Sequence, residues 1–235
     1  MIHASNVARF FFDRIKQSLV ASVGLLLFSF GFYLQLVANV GLASWQCLNQ
    51  GLSMSLSITF GQASILVSVF VVIADFLLHE PIGIGTILDA FLVGWGTDFF
   101  IWLDLIPYQT NFGAGLAVMA LAIVIMSIAQ SIHMKEGLSC GPRDALMVAI
   151  GKRLPMVSVG TVCIVMSLIV LTIGYFLGGS IGLGTVINLF GAGIIMDAVF
   201  HLLHFDPRVI KHESLWETTV EFAKAWNGDC KKRQS

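Results

Sequence analysis

Charge is scarce in this chain: Asp, Glu, Lys and Arg together make up 11% of 235 residues, against about 25% in a soluble domain. That shortage excludes a freely soluble globule, which needs a charged surface. Nothing in the sequence suggests nucleic acid as a partner. The prolines number five, and Pro81, Pro107, Pro142, Pro155 and Pro207 all fall at breaks between apolar runs. Four cysteines, Cys47, Cys140, Cys163 and Cys230, show no metal-ligand spacing between any two, so they read as structural filler with no redox framework. Also missing are a phosphate loop and a nucleophile paired with a base, so the chain is not expected to be an enzyme or to carry a cofactor.

What remains is apolar. Hydrophobic residues reach 57% and mean hydropathy is +0.87; runs long enough to cross a bilayer, about 20 residues as a helix, recur along the chain. They fall at about 17–40, 61–78, 83–103, 113–132, 157–177 and 183–203. The first is too long for a signal peptide's apolar core and reads as a retained span. Ahead of it, residues 1–16 carry Arg9, Arg14 and Lys16 with Phe10, Phe11 and Phe12, a pattern for the cytoplasmic interface. Two segments are too polar or too broken to be spans, 42–58 and 139–152. Both are expected to be short re-entrant or interfacial helices packed against the third and sixth spans. Beyond the last span, residues 206–235 contain a capping box at Ser214 and Glu217 and an apolar stripe, which predict an amphipathic tail helix on the cytoplasmic surface or against a second copy.

One stretch is written twice. Gly83 to Asp98 returns as Gly182 to Asp197, with Gly83/Gly182, Gly85/Gly184, Thr86/Thr185, Gly94/Gly193 and Asp98/Asp197 at one constant offset. The register extends back to Gly61/Gly160, which marks an internal duplication. Under a six-span model with the N-terminus inside, every Lys and Arg falls in an inner segment, whereas 41–60, 104–112 and 178–182 hold none, as the positive-inside rule requires. Three spans per copy then enter from opposite sides. The expected fold is an all-α polytopic membrane protein, six transmembrane helices forming two inverted three-helix repeats, each with a short re-entrant or interfacial helix. Repeat one covers 17–103, repeat two 113–205, and an outer loop at 104–112 joins them.

At Gly141-Pro142-Arg143-Asp144-Ala145-Leu146-Met147, with the two Gly-x-Gly-Thr helix openings at Gly83 and Gly182, the chain resembles the YczE/YyaS/YitT family of bacterial membrane proteins over about 17–205. The resemblance implies an integral membrane protein of a family without an established activity. Where that family usually shows Pro-Trp-Asp ahead of the second span, this chain has Ser44-Trp45-Gln46. The tail lacks the soluble domain of the YitT branch, so the YczE-like branch is favoured.

An ionised carboxylate inside a span costs about 2.5–3.5 kcal/mol, which singles out Asp89, Asp98 and Asp197. Arg143 is expected to pair with Asp197 and close the inner side, with Asp144 and Asp89 as competing partners. Gly85, Thr86 and Asp89, and their equivalents Gly184, Thr185 and Asn188, share a helix face and either line a cavity or let two helices touch. Asp197, His201 and His204 have the spacing of metal ligands on one face, but the interface explains the histidines without a metal. The substrate or ion pathway is therefore expected at Asp89, Asp98, Arg143, Asp144, Asn188 and Asp197. Two functions fit: a transporter or exporter of an unidentified small molecule in the bacterial cytoplasmic membrane, both termini inside, or a non-transporting scaffold or membrane subunit of a larger transport assembly. A homodimer or a partner membrane protein suits the tail.

Overall fold

The computed structural model describes residues 2–138, 141–153, 159–204 and 219–220. Apart from residues 219–220, the predicted tail helix lies outside them, as do Cys140 and Cys230. All regular structure among the described residues is helical: α1 (Ile2–Ala38), α2 (Ser44–Leu56), α3 (Phe60–Leu77), α4 (Ile84–Leu103), α5 (Phe112–Lys135), α6 (Pro142–Arg153), α7 (Val159–Phe176) and α8 (Leu183–Leu202). Five of these are long and apolar enough to cross a membrane, within α1, α3, α4, α5 and α8, and Gly160–Phe176 is a shorter apolar helix. The first helix begins well before the first apolar run, so residues 2–16 continue into α1 without a break.

The duplication is visible in the helices. A long helix, a short one, one of 18 residues and one of 20 occur in that order twice. Each 20-residue helix opens in the same way. The Gly83 N–H donates to the Thr86 hydroxyl at 3.4 Å, and the Gly182 N–H to the Thr185 hydroxyl at 3.2 Å, so each threonine satisfies one of the donors that a helix start leaves over. The second glycine of each opening receives the loop from the other copy: Gly85 N–H donates to the Leu138 carbonyl at 3.1 Å and Gly184 N–H to the Val40 carbonyl at 2.8 Å. Only glycine permits the approach at Gly184, where a Cβ would come within 2.9 Å of the Val40 oxygen and 2.5 Å of the Met119 sulfur.

The short helices also exchange partners. Helix α2 packs on α7 and α3, and α6 mainly on α3 and α7 with a smaller contact on α4, so of the expected packing against the third and sixth spans, α4 and α8, only the α6–α4 contact is present in part. The reason is small residues. Gly174 lets the α2 backbone at Cys47 and Leu48 lie directly on α7, where any Cβ would collide with it. The ends of the two short helices are pinned alike. The Ser55 hydroxyl donates to the Leu177 carbonyl at 3.0 Å, and at the equivalent place the Arg153 guanidinium donates to the Leu78 carbonyl. Pro142 sits at the first position of α6, where its missing N–H costs nothing.

Helices α1 and α5 form the central pair and run antiparallel, with Gly24 against Ala129 and His133, Gly31 against Ala122 and Met126, and Gly115 against Ala38. Lipid tails are as apolar as side chains, so such helices associate through close packing over small residues. The loop before α5 folds back on this pair, the Gln109 N–H donating to the Val37 carbonyl at 2.8 Å and the Ile106 N–H to the Tyr33 hydroxyl at 2.8 Å.

Candidate functional site

In the first copy, α3 and α4 are locked together. Gly61 and Gly94 face each other so closely that a Cβ on Gly94 would lie 2.6 Å from the Gly61 oxygen, and one on Gly61 would strike the Gly94 carbonyl. One turn further along α4, Asp98 accepts from the Gly61 N–H at 2.7 Å and from the Thr59 hydroxyl. Its carboxylate thus sits on the N-terminus of α3, where the helix dipole and loose N–H groups favour an anion. Thr59 and Gln62 complete a capping box there, at 3.1 Å in each direction. Asp98 is a cap, and it lines no cavity described below.

The second copy is open at the same place. Gly193, the equivalent of Gly94, has nothing within 4 Å of where a Cβ would stand. Gly160 and Asp197, the equivalents of the buried Gly61 and half-buried Asp98, are exposed. Helix α8 keeps its other side on α5, with Ala192 and Ile195 against Met119 and Ile123. Gly193 also borders a cavity of about 670 Å³ between α8 and helices α1, α2, α5 and α6, whose walls include Phe28, Gln35, Met126, Gln130, Asp144, Asn188 and Phe200, with Glu80 and Lys152 also in its lining. Lys152 and Glu80 are paired there at 2.8 Å.

A smaller cavity of about 210 Å³ adjoins it and shares Phe28, Trp45, Met126, Gln130 and Asp144. It is lined also by Phe32, Gln46, Asp89, His133 and Arg143. The first turns of the two short helices meet here. Arg143 lies between two aromatic rings, its guanidinium carbon 5.6 Å from the Phe32 centroid and 5.3 Å from the Trp45 ring, and it donates to the Ser64 hydroxyl at 3.3 Å. The charges acting on it are those of Asp89 and Asp144. Asp89 lies against Gly141 at the start of α6, where a Cβ would come within 2.7 Å of its oxygen. Asp144 accepts from the Gln130 side-chain N–H at 3.0 Å.

Of the residues singled out from sequence, the structure brings together Asp89, Arg143 and Asp144, and places Asn188 in the wall of the larger cavity. Gly83, Gly85, Thr86, Gly182, Gly184 and Thr185 serve helix openings and cross-copy docking. Asp197 is exposed and lines neither space, so in place of the expected Arg143–Asp197 pair Arg143 has Asp89 and Asp144 acting on it. Asp197, His201 and His204 are exposed on the last turns of α8 and beyond, and no three His, Cys, Asp or Glu side chains come together to hold a metal among the described residues.

Several polar groups escaped the sequence reading. Gln35, Gln46 and Asn49 are all but fully buried, and Gln35 Oε1 and the side-chain amide atoms of Gln46 and Asn49 have no hydrogen-bond partner. Gln46 and Asn49 were visible as polar positions in 42–58, but nothing in one dimension marks which amides turn inward. Asp75 in α3 is likewise buried with neither carboxylate oxygen bonded; an acid inside an apolar run was the available signal.

Helices of this length and apolarity around a polar, charged interior define a multi-pass integral membrane protein. The chain belongs to the family of unknown function DUF6198, which matches residues 15–201. It is similar to the uncharacterized membrane protein YczE of Bacillus subtilis, with 28% identity over 189 residues, 77% of this chain and 86% of the relative. It is also similar to an uncharacterized protein of Haemophilus influenzae, with 24% identity over 173 residues, 74% of this chain and 78% of the relative. No solved structure matches it.

Proposed function

We propose that the protein transports a small molecule across the bacterial cytoplasmic membrane by alternating access, with α1, α3, α4, α5, α7 and α8 as six spans forming two inverted copies. Several observations support the inversion. The first helices of the two copies are antiparallel, and every Lys and Arg falls on one side if both termini are cytoplasmic. Helix α7 has the length of its equivalent α3, which supports reading it as the sixth span. Inverted copies with short, broken helices near the centre are a recurrent plan of secondary transporters.

The observation that carries the reading is the unequal state of the two copies: α3 and α4 are closed over Gly61 and Gly94, while α7 and α8 are parted at Gly193 beside a 670 Å³ cavity. By the same charge rule, the closed joint lies at the outer face and the Glu80–Lys152 rim at the inner face. The conformation is then open to the cytoplasm. Closing α8 onto α7 through its glycine, while α4 parts from α3, would turn the cavity outward with the contacts already written in the sequence.

The test is reconstitution in proteoliposomes and a screen for solutes that cross. A bulky side chain at Gly193 should abolish movement of any such solute while leaving expression intact. If no solute crosses and a membrane protein co-purifies stably, the alternative holds: a scaffold, or the membrane subunit of a larger assembly.

A further inference from the structure

We propose that the two adjoining cavities bind an uncharged molecule that carries an amide-like group, able both to donate and to accept hydrogen bonds, on an apolar body. This deepens the transport reading by naming its substrate class, and its test is a binding measurement that stands apart from movement.

Every charged side chain in the two linings is already engaged. Asp89 and Asp144 both act on Arg143, whose guanidinium lies between the Phe32 and Trp45 rings and donates to Ser64. Asp144 also accepts from Gln130 at 3.0 Å, and it and His133 have further partners. In the larger cavity Lys152 is held by Glu80 at 2.8 Å. An entering ion of either sign would compete with partners already in place, and it would leave water for a space of low dielectric, which is costly.

The neutral polar groups are not engaged. Trp45 lines both cavities, Gln46 the smaller, and Gln35 and Asn188 the larger; Gln35 and Gln46 are each 1% exposed. Trp45 Nε1 and Asn188 Nδ2 are donors with no acceptor, Gln35 Oε1 is an acceptor with no donor, and Gln46 lacks a partner at its amide nitrogen and its oxygen alike. Buried groups of this kind are normally bonded. The unmet set holds donors and acceptors together, and reversing the Gln46 amide exchanges its ends without changing that. A carboxylate brings only acceptors and an ammonium only donors, whereas an amide brings both and can meet Gln46 reciprocally, N–H to C=O in each direction.

The body of the ligand follows from the walls. Around the polar groups stand Phe28, Ile123, Met126, Ala192, Met196 and Phe200, rings and adaptable thioethers that accept an apolar part of varied shape. Apolar walls with a few placed polar groups are the usual make-up of a small-molecule site, and the volume of about 670 Å³ is within the range of such pockets, roughly 300–1,000 Å³. Because Trp45 borders both spaces, an amide group at Trp45 and Gln46 has the larger cavity for its apolar part.

The experiment uses the full chain in detergent at about pH 7.5 and three ligands of one shape: 2-naphthamide, which is uncharged, 2-naphthamidinium, a cation, and 2-naphthoate, an anion. Radiolabelled naphthamide is followed by equilibrium dialysis, with empty micelles as the blank. The expected result is saturable binding that unlabelled naphthamide displaces and that neither ion displaces at about tenfold higher concentration. Gln46→Leu, which keeps an apolar side chain of similar size, should weaken the binding by at least about tenfold. Absence of saturable binding, which would leave only water in the cavities, equal displacement by either ion, or unchanged binding by folded Gln46→Leu protein would overturn the proposal. Should that variant not fold, the competition among the three ligands on the unaltered protein decides alone. A failure here leaves the opening and closing of α7 and α8, measured separately by distance, untouched.

Discussion

Trp45 and Arg143 each hold the second position of their short helix, α2 and α6, and they pack on one another, with the guanidinium carbon 5.3 Å from the indole ring centre. The two short helices therefore meet through an aromatic ring and a cation, an attractive contact. It places a charge where two carboxylates can act on it.

Arg143→Lys keeps the charge but not the planar group that lies between Phe32 and Trp45. Thermal unfolding in detergent should show a loss of about 1–2 kcal/mol. Arg143→Met should cost more, up to about 3–5 kcal/mol, because two half-buried acids lose their cation, and adding Asp89→Asn should recover part of it. Independent, additive losses would argue against the coupling.

The two glycine joints should respond in opposite ways. Gly61→Leu forces α3 from α4 and should lower the unfolding temperature markedly, since the leucine side chain has the Gly94 carbonyl and the capping Asp98 carboxylate in its way. Gly193→Leu meets open space and should leave stability unchanged or slightly raised by better helix propensity, up to about 1 kcal/mol. Comparable destabilisation by both would mean that the second joint is already closed.

The paired aspartates give a parallel contrast. Asp98→Asn weakens the anion on the α3 N-terminus and should cost about 1–2 kcal/mol in thermal unfolding. Asp197→Asn removes an exposed group and should be nearly silent in stability. Reversal of that order would remove Asp98 from its capping role.

Much of the helix plan was legible because duplication leaves a trace in one dimension. The Gly-x-Gly-Thr openings, the matched bounds of α3 with α7 and α4 with α8, and the two short helices all follow from a constant offset, breakers at Gly141-Pro142 and apolar run length. The partners of Arg143 were not legible. Pairing charges along the sequence pointed to Asp197, but α8 stands away from α7, and the partner ring, Trp45, carries no charge to mark it. Nor was the exchange of short helices between copies legible, since it depends on Gly174 and Gly51 admitting another backbone, and a glycine in sequence does not say what approaches it. Asp98 was legible as an intramembrane acid but not as a cap, because its partners at Thr59 and Gly61 come from another helix.

Sidedness can be checked by labelling. In a cysteine-free background, Asn111→Cys should react with an impermeant thiol reagent on intact cells, and Lys152→Cys should react only after permeabilisation. Both side chains are exposed in the structure, so access alone will not distinguish them. Reaction of Lys152→Cys from outside would reverse the orientation and place the open cavity on the outer face.

The central claim is that the two copies exchange open and closed states. Spin labels at Leu66 and Trp95 report on the α3–α4 joint, and labels at the equivalent Val165 and Ile194 report on α7–α8. Distance distributions in lipid nanodiscs should show the α7–α8 pair longer than the α3–α4 pair in one population. A second population, enriched by a transported solute, should have the order reversed. A single fixed distance for each pair under every condition, with α7 and α8 always apart, would contradict alternating access and leave the asymmetry as a static feature of the fold.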